Sequence, residues 1–375
     1  MNLESFILDL QKKSSPGIGG KVILSGLELL AKVYKRGVIC KREKALKSRI
    51  KLDVPVVSVG NITAGGTGKT PCIIELAEQM KACGIHPAVL SRGYKSGFEK
   101  EGGVVSDGKK IVAAQKMAGD EPYMMALRLP GVPVLVGRDR ILSAKKAIEL
   151  GADILLLDDG LQYWPLKHDL EIVLVDCTNP FGYGHMLPRG LLREPLDGLA
   201  RADLFILTKS NQVDDKTKDE ITEKLHKYGG DIPVLESDHV PSALTSFSDW
   251  KKQRICNVLE QRQGAKVLLL SGIGNPGAFW KTSEKAGLCP VEHITFKDHY
   301  SYSNEDIKKV FKKLKYTDAE ILVITEKDAV KMIDLQGLKN SEIPVYVLSI
   351  KMEYSEPVSY THLISLRVPF VVLPA

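Results

Sequence analysis

The sequence has no run of about 18 apolar residues, the minimum for a conventional membrane-spanning helix. Cysteine is scarce, and none of the six (Cys40, Cys72, Cys83, Cys177, Cys256, Cys289) lies within four residues of another, so the paired spacing of a structural zinc site is absent. The thiols are expected to be reduced, in a cytosolic setting. Residues 1–20 carry acids and lack an apolar core with a cleavage site, so no secretory signal is expected. There is no fixed-period repeat and no low-complexity segment. With 44% hydrophobic and 26% charged residues the chain is neither disordered nor a fibre. A net charge of +6 is compatible with an anionic ligand or surface without proving either.

Between Pro55 and Thr208 the pattern is strand, turn, helix, repeated. Val54–Val59 is a β-branched run, followed by a glycine-rich loop and a helical stretch from Pro71 to about Ala82. Pro87–Leu90, Val132–Val136, Ile154–Leu157, Ile172–Val175 and Leu204–Leu207 read as further strands, with a helix through Ala144 and Ile148. Short, wholly apolar strands alternating with helices predict an α/β fold whose parallel sheet is covered by helices on both faces. Residues 178–200 read as a long loop, the kind that usually carries function. A second α/β rhythm begins at Val267 beyond a polar region at 209–265, with helices near 276–286 and 304–315 and strands at 293–296 and 321–325. The expected organisation is residues 1–50, a P-loop domain at 51–215, a smaller C-terminal α/β domain at 216–356, and a tail at 357–375.

Within residues 21–50, Ile23, Leu27, Leu30, Ala31, Tyr34 and Val38 fall on one side of a helix. A basic run follows: Lys41, Arg42, Lys44, Lys47, Arg49 and Lys51. That is the form of an interfacial membrane helix, and equally of a helix packed on a core with a solvated charged end.

The sharpest motif is Thr63-Ala64-Gly65-Gly66-Thr67-Gly68-Lys69-Thr70, set between a strand and a helix as a phosphate-binding P-loop requires. Glycines let backbone amides wrap an anion, and the helix N-terminus adds about half a positive charge. Lys69 would reach the β- and γ-phosphates, and the Thr70 hydroxyl would hold Mg²⁺. Thr63 stands where the usual pattern has glycine. Asp158 and Asp159 end an apolar strand, at the sheet edge where open α/β folds bind ligands, and are candidates for the metal. Asp120-Glu121 opens a helix, where a carboxylate is commonly only a cap.

Two weaker signals compete. Ser271–Gly277 contains G-x-G-x-x-G after a strand, with Asp298 about 20 residues beyond, as in a dinucleotide fold. Thr208-Lys209-Ser210-Asn211 and Thr325-Glu326-Lys327-Asp328 are imperfect guanine-reading strings, and neither supports a base-selective GTPase.

Taken in order, Val59-Gly60-Asn61, Gly65–Pro71, Ser91-Arg92-Gly93-Tyr94, Gly119-Asp120-Glu121-Pro122, Asp158-Asp159-Gly160-Leu161-Gln162, Pro188–Pro195, Gly272–Pro276, Asp298-His299-Tyr300 and Thr325–Asp328 resemble one family, the tetraacyldisaccharide 4′-kinases of lipid A biosynthesis. The resemblance implies an ATP- and Mg²⁺-dependent kinase, a peripheral or monotopic protein at the cytoplasmic face of a Gram-negative inner membrane. Its acceptor would be the 4′-hydroxyl of a tetraacylated glucosamine disaccharide 1-phosphate, and its partner an anionic membrane surface; no nucleic acid is implied. It implies Asp120 as base with His299 beside it. Thr70, Glu121, Asp158, Asp159 and Gln162 would surround the metal, and Tyr94, Arg138, Arg189 and Arg193 the acceptor. The glycine turn at 272–277 becomes a domain-closing turn. A P-loop switch or chaperone, or a dinucleotide-dependent oxidoreductase, remain the alternatives. The resemblance is expected to stop after Tyr354. Residues 357–375, with Arg367 as the sole formal charge and breaks at Pro369 and Pro374, read as a non-native extension in preference to an added strand or flap.

Overall fold

The computed structural model describes residues 17–254, 256–298, 300–339 and 343–355, together with residues 7 and 9–11. In chain order the principal elements are α1 (Ile18–Leu46), β1 (Val56–Gly60), α2 (Lys69–Ala82), β2 (Pro87–Ser91), β3 (Gly103–Asp107), α3 (Asp120–Arg128), β4 (Pro133–Val136), α4 (Arg140–Glu149), β5 (Ile154–Asp158), β6 (Leu170–Asp176) and β7 (Leu204–Thr208). They continue as α5 (Asp215–Gly229), β8 (Val234–Ser246), β9 (Lys266–Ser271), α6 (Pro276–Lys285), β10 (Cys289–Thr295), α7 (Asn304–Leu314), β11 (Ile321–Thr325), α8 (Glu326–Lys331) and β12 (Val345–Tyr354). His299 and the tail from residue 356 lie outside the described residues.

The chain forms two compact units interleaved in sequence. The first holds the described residues up to Lys69, Leu156–Asp238, Tyr354 and Ser355; the second holds Thr70–Leu155 and His239–Glu353. In the first unit β1, β6, β7 and β8 pair in parallel, with Val57 opposite Leu170 and Phe205 opposite Val234. Every residue of β1 and β7 is buried, which requires cover on both faces and explains why these strands read as unbroken apolar runs. Val173, Val175, Phe205, Leu207, Ile221 and Leu225 form its core, and Ala31 of α1 joins them.

In the second unit β2 pairs in parallel with β4, and β3 runs antiparallel to β4. A further parallel set follows the order β10-β9-β11-β12. Val267, Leu269, Val323 and Leu348 pack with Phe279 and Leu288 in its core. The parallel α/β class expected from the sequence is the class observed. Five of these elements were not anticipated: β3, α5, β8, α8 and β12. β3 is short and only half-buried. α5 and β8 fall in the region read as polar: α5 buries only Ile221 and Leu225, so its sequence is dominated by the solvated side.

The α1 helix is present but its apolar residues are split between environments. Leu24 and Ala31 are buried, whereas Ile18, Val22, Leu29 and Val33 share another side of the helix and are exposed. The single stripe expected from 23, 27, 30, 31, 34 and 38 therefore mixes residues of unlike surroundings. Pattern alone shows that a helix is amphipathic, but not which of two apolar strips meets the core. No described helix is long and apolar enough to cross a membrane.

Candidate active site

The turn after β1 is built around an opening. Gly65 (φ 129°) and Gly68 (φ 88°) adopt backbone conformations that side chains disfavour. A Cβ added at Gly65 or Gly66 would meet no atom within 4 Å, so the loop borders free space. α2 begins at Lys69, aiming its first amides at this loop. Thr63, where the motif usually has glycine, is anchored instead: it pairs with Leu192 and accepts the Asn61 side-chain amide at its carbonyl (2.6 Å). A residue held against the neighbouring chain needs no glycine freedom, which accounts for the departure.

Lys69 Nζ donates to Asn61 Oδ1 (2.9 Å) and lies 3.5 Å from Asp159 Oδ1. Arg193 grips Asp159 with both fork nitrogens (2.6 and 2.9 Å). Burial works against the Arg193 charge, but the Asp159 carboxylate outweighs it and holds the guanidinium above its ordinary value. Asp159 itself sits at φ 56°, just past the end of β5. Asp158 is buried at the strand end. Gln162 donates to the Asn61 carbonyl (3.0 Å) and to the wholly buried Glu194 (2.9 Å), which Arg201 also grips (2.8 Å to each oxygen).

The chemistry of this donor set fits Mg²⁺. The oxygens are hard, and the ion is typically bound by one or two carboxylates plus substrate phosphates instead of a complete protein cage. Buried Gln162 Oε1 has no hydrogen-bond partner among the described residues, leaving an oxygen acceptor beside Asn61.

The second unit carries the other expected residues. Asp120 opens α3, but the N-cap is Gly119 and no side chain caps the helix there. The Asp120 carboxylate instead accepts from Gln115 (2.5 Å). Glu121 pairs with Lys327 (2.6 Å), and at the far end of α3 Arg128 pairs with buried Glu326 (2.8 Å). The tip of the Thr325–Asp328 segment thus holds both ends of α3, a role the sequence string did not suggest. Tyr94 is exposed between Arg92 and Lys95, whose cationic groups lie 5.8 and 5.2 Å from its ring centre. Arg138 is exposed and Arg189 half-buried.

The dinucleotide-like turn is closed. A Cβ on Gly272 would lie 2.7 Å from the Tyr302 hydroxyl, and one on Gly274 would lie 3.3 Å from Asp298 Oδ2. Gly272 N and the Tyr302 hydroxyl both donate to fully buried Asp328 (3.1 and 2.9 Å). Burial, with Asp328 beside it, pushes the Tyr302 phenol far above its ordinary value. The chain's own Tyr302, Asp328 and Lys331 occupy the approach to this turn, so the oxidoreductase reading is not favoured.

Comparison with known proteins agrees with the open P-loop. The family model for tetraacyldisaccharide-1-P 4′-kinase matches residues 21–367. The chain belongs to this family. Against the expectation that the resemblance stops after Tyr354, the match runs to residue 367 and takes in part of the tail read as a non-native extension. The tetraacyldisaccharide 4′-kinase of Halothermothrix orenii is 37% identical over 381 residues, covering 97% of each chain. That of Syntrophus aciditrophicus is 38% identical over 350 residues, covering 90% of this chain and 91% of its own. The crystal structure of LpxK from Aquifex aeolicus in complex with ATP superposes with a TM-score of 0.70 at 27% identity, covering 92% of this chain and 99% of that one. The chain is accordingly a kinase of lipid A biosynthesis, a phosphotransferase that acts on the 4′-position of the disaccharide 1-phosphate.

Proposed function

We propose that the chain transfers the γ-phosphoryl group of ATP to the 4′-hydroxyl of its tetraacylated disaccharide 1-phosphate with the phosphates lodged in the turn at 63–70. The observation that carries this reading is the free space at Gly65 and Gly66 beside Lys69. Residues 63–68 would offer amides to the phosphate oxygens. Lys69, now held by Asn61 and close to Asp159, would turn to the transferring group, whose charge is spread over three oxygens. Thr70, Asp158 and Gln162 are the residues to hold Mg²⁺, with Asp159 and Glu121 around it; bound there, the ion would neutralise phosphate charge. Arg193 in this reading orients Asp159.

Asp120 would take the proton of the acceptor hydroxyl, with His299 as its partner. A sugar hydroxyl is weakly acidic, so its proton must leave as the new P–O bond forms. Asp120 is not spent on capping α3, and Gln115, which donates to its Oδ1, would hold the carboxylate in place for that work. Tyr94, Arg138 and Arg189 would contact the acceptor. The exposed apolar strip of α1 (Ile18, Val22, Leu29, Val33), next to a basic run, would rest on an anionic cytoplasmic leaflet, each basic residue adding about 1 kcal/mol.

The test is transfer of ³²P from ATP to purified disaccharide 1-phosphate in mixed micelles. Labelled lipid that vanishes with a chelator and returns with Mg²⁺ is expected. Nucleotide hydrolysis with no labelled lipid would instead favour a P-loop switch. Asp120→Asn and His299→Ala are each expected to depress kcat more than ATP affinity, with a double variant no worse than the poorer single one.

A further inference from the structure

The side of α1 that faces its own unit carries polar contacts as well as Leu24 and Ala31. Glu28 pairs with His185 Nδ1 (3.0 Å). The Tyr34 hydroxyl donates to the carbonyl of Arg193 (3.2 Å). Arg42 donates to both carboxylate oxygens of Asp197 (2.9 and 3.0 Å) and lies 3.6 Å from Glu194. All three contacts end on one segment, residues 185–197.

The same segment holds the P-loop. Ala64 N donates to the Leu191 carbonyl (2.7 Å) and Arg193 N to the Ile62 carbonyl (2.7 Å), flanking the Thr63–Leu192 pairing. Its side chains continue inward. Arg193 grips Asp159, which neighbours Lys69; Glu194 receives Gln162, which reaches Asn61, which receives Lys69. Two routes of hydrogen bonds and ion pairs therefore run from the helix to the P-loop lysine.

We propose that Arg42 and Tyr34 are positioning residues for phosphoryl transfer: from α1 they fix the 193–197 segment, and through Arg193 and Glu194 that segment sets where Lys69 stands. The proposal rests on Lys69 being the phosphate-binding lysine. Its physical basis is the burial of Glu194. A carboxylate removed from water needs cationic and hydrogen-bonding neighbours, and Arg42 is one of two arginines that serve it, with Arg201. The bidentate Arg42–Asp197 contact fixes the guanidinium geometrically as well as electrostatically. It holds the Asp197 carboxyl below its ordinary value despite some burial. Without Arg42, Glu194 loses a cation and the segment loses its anchor on the helix. A displacement of 193–197 is then carried by the Arg193 fork to Asp159. The lysine still binds phosphate, but no longer meets the transferring group at the position where charge develops.

The test uses the full chain with Arg42→Gln, Tyr34→Phe, Arg193→Gln and the Arg42→Gln/Arg193→Gln double variant. Turnover and KM for ATP are measured in mixed micelles, with thermal melting and sedimentation with anionic phospholipid vesicles alongside. Arg42→Gln is expected to lower kcat about tenfold or more while KM for ATP moves less than about twofold. The double variant is expected to lose less than the product of the two single losses, because both residues act through the 193–197 segment, and Arg42→Lys is expected to recover part of the loss. Unchanged kcat in both single variants, multiplicative losses in the double variant, or loss of sedimentation alone would overturn the proposal. Should Arg42→Gln not fold, Tyr34→Phe decides on the same criteria, since it removes one hydrogen bond and little volume. Near-wild-type activity in Lys69→Ala would topple the underlying reading of the lysine, independently of the Arg42 result.

Discussion

Two glycine-rich turns in this chain look alike in sequence and differ in what surrounds them. Each follows a buried parallel strand and precedes a helix: Gly65–Gly68 between β1 and α2, and Gly272–Asn275 between β9 and α6. At Gly65 and Gly66 an added Cβ would meet nothing. At Gly272 it would meet the Tyr302 hydroxyl and the Lys297 carbonyl (2.7 and 3.2 Å), with Asp328 Oδ1 at 3.3 Å. The lysine of the first turn, Lys69, lies beside open space; that of the second, Lys331, is taken up by the Gly272 carbonyl (3.3 Å) and Asp328 (3.5 Å). A glycine motif marks close approach of something to the backbone. Whether that something is a ligand or the chain itself depends on residues far away in sequence.

The largest effect should come from Lys69→Ala, which removes the charge of the open turn. Turnover is expected to fall about a thousandfold or more with an unchanged melting temperature, measured by lipid phosphorylation and calorimetry. The paired substitutions Gly66→Ala and Gly272→Ala sharpen the contrast. Gly66→Ala should weaken ATP binding, read by titration calorimetry, while stability stays within about 0.5 kcal/mol. Gly272→Ala should leave ATP affinity alone but destabilise the fold by about 1–3 kcal/mol, because Tyr302 and the backbone must shift. Equal behaviour of the two variants would erase the distinction.

The same contrast applies to α1, where one apolar strip is covered and the other is open. Val22→Asp/Leu29→Asp should release the protein from anionic vesicles with little change in melting temperature, whereas Ala31→Asp should lower the melting temperature sharply by burying a charge. Retained sedimentation in the first variant would count against a lipid-facing role for that strip.

The smallest expected effect concerns a covered thiol in the first unit. Burial, reinforced by Asp176, pushes the Cys177 thiol from 9.0 up to about 12. The folded state therefore keeps this proton at pH values where the unfolded chain has lost it, so the associated stability is whole below about pH 9 and declines as pH rises toward 12. Cys177→Ala should flatten the fall of stability across that window in denaturant titrations. Thiol reagents should modify the exposed Cys40, Cys256 and Cys289 first.

The apolar strands β1, β2, β5, β6, β7, β9 and β11 were legible because a strand buried on both faces must be apolar at every position, and that signal is local. The P-loop was legible for a similar reason, since phosphate wrapping needs glycines and a lysine adjacent in sequence. The ordered motifs added the family. The strands β3 and β8 were hidden by their half-exposed, mixed composition. Other decisions needed the tertiary structure because they join residues distant in sequence. The sequence presented Gly272 as a possible cofactor turn, and Asp328 and Tyr302 close it. It presented Asp120 as a possible cap, and Gly119 takes that place while Gln115 engages the carboxylate. It offered no sign that Arg193 lies against Asp159. It showed that α1 has an apolar side, while only packing revealed which strip is covered and that Arg42 and Tyr34 reach the segment beside the P-loop. Local composition determines which groups the chain can offer; three-dimensional proximity decides which of them are already taken, because a hydrogen bond or ion pair depends on distance in space and carries no trace in the sequence between its partners.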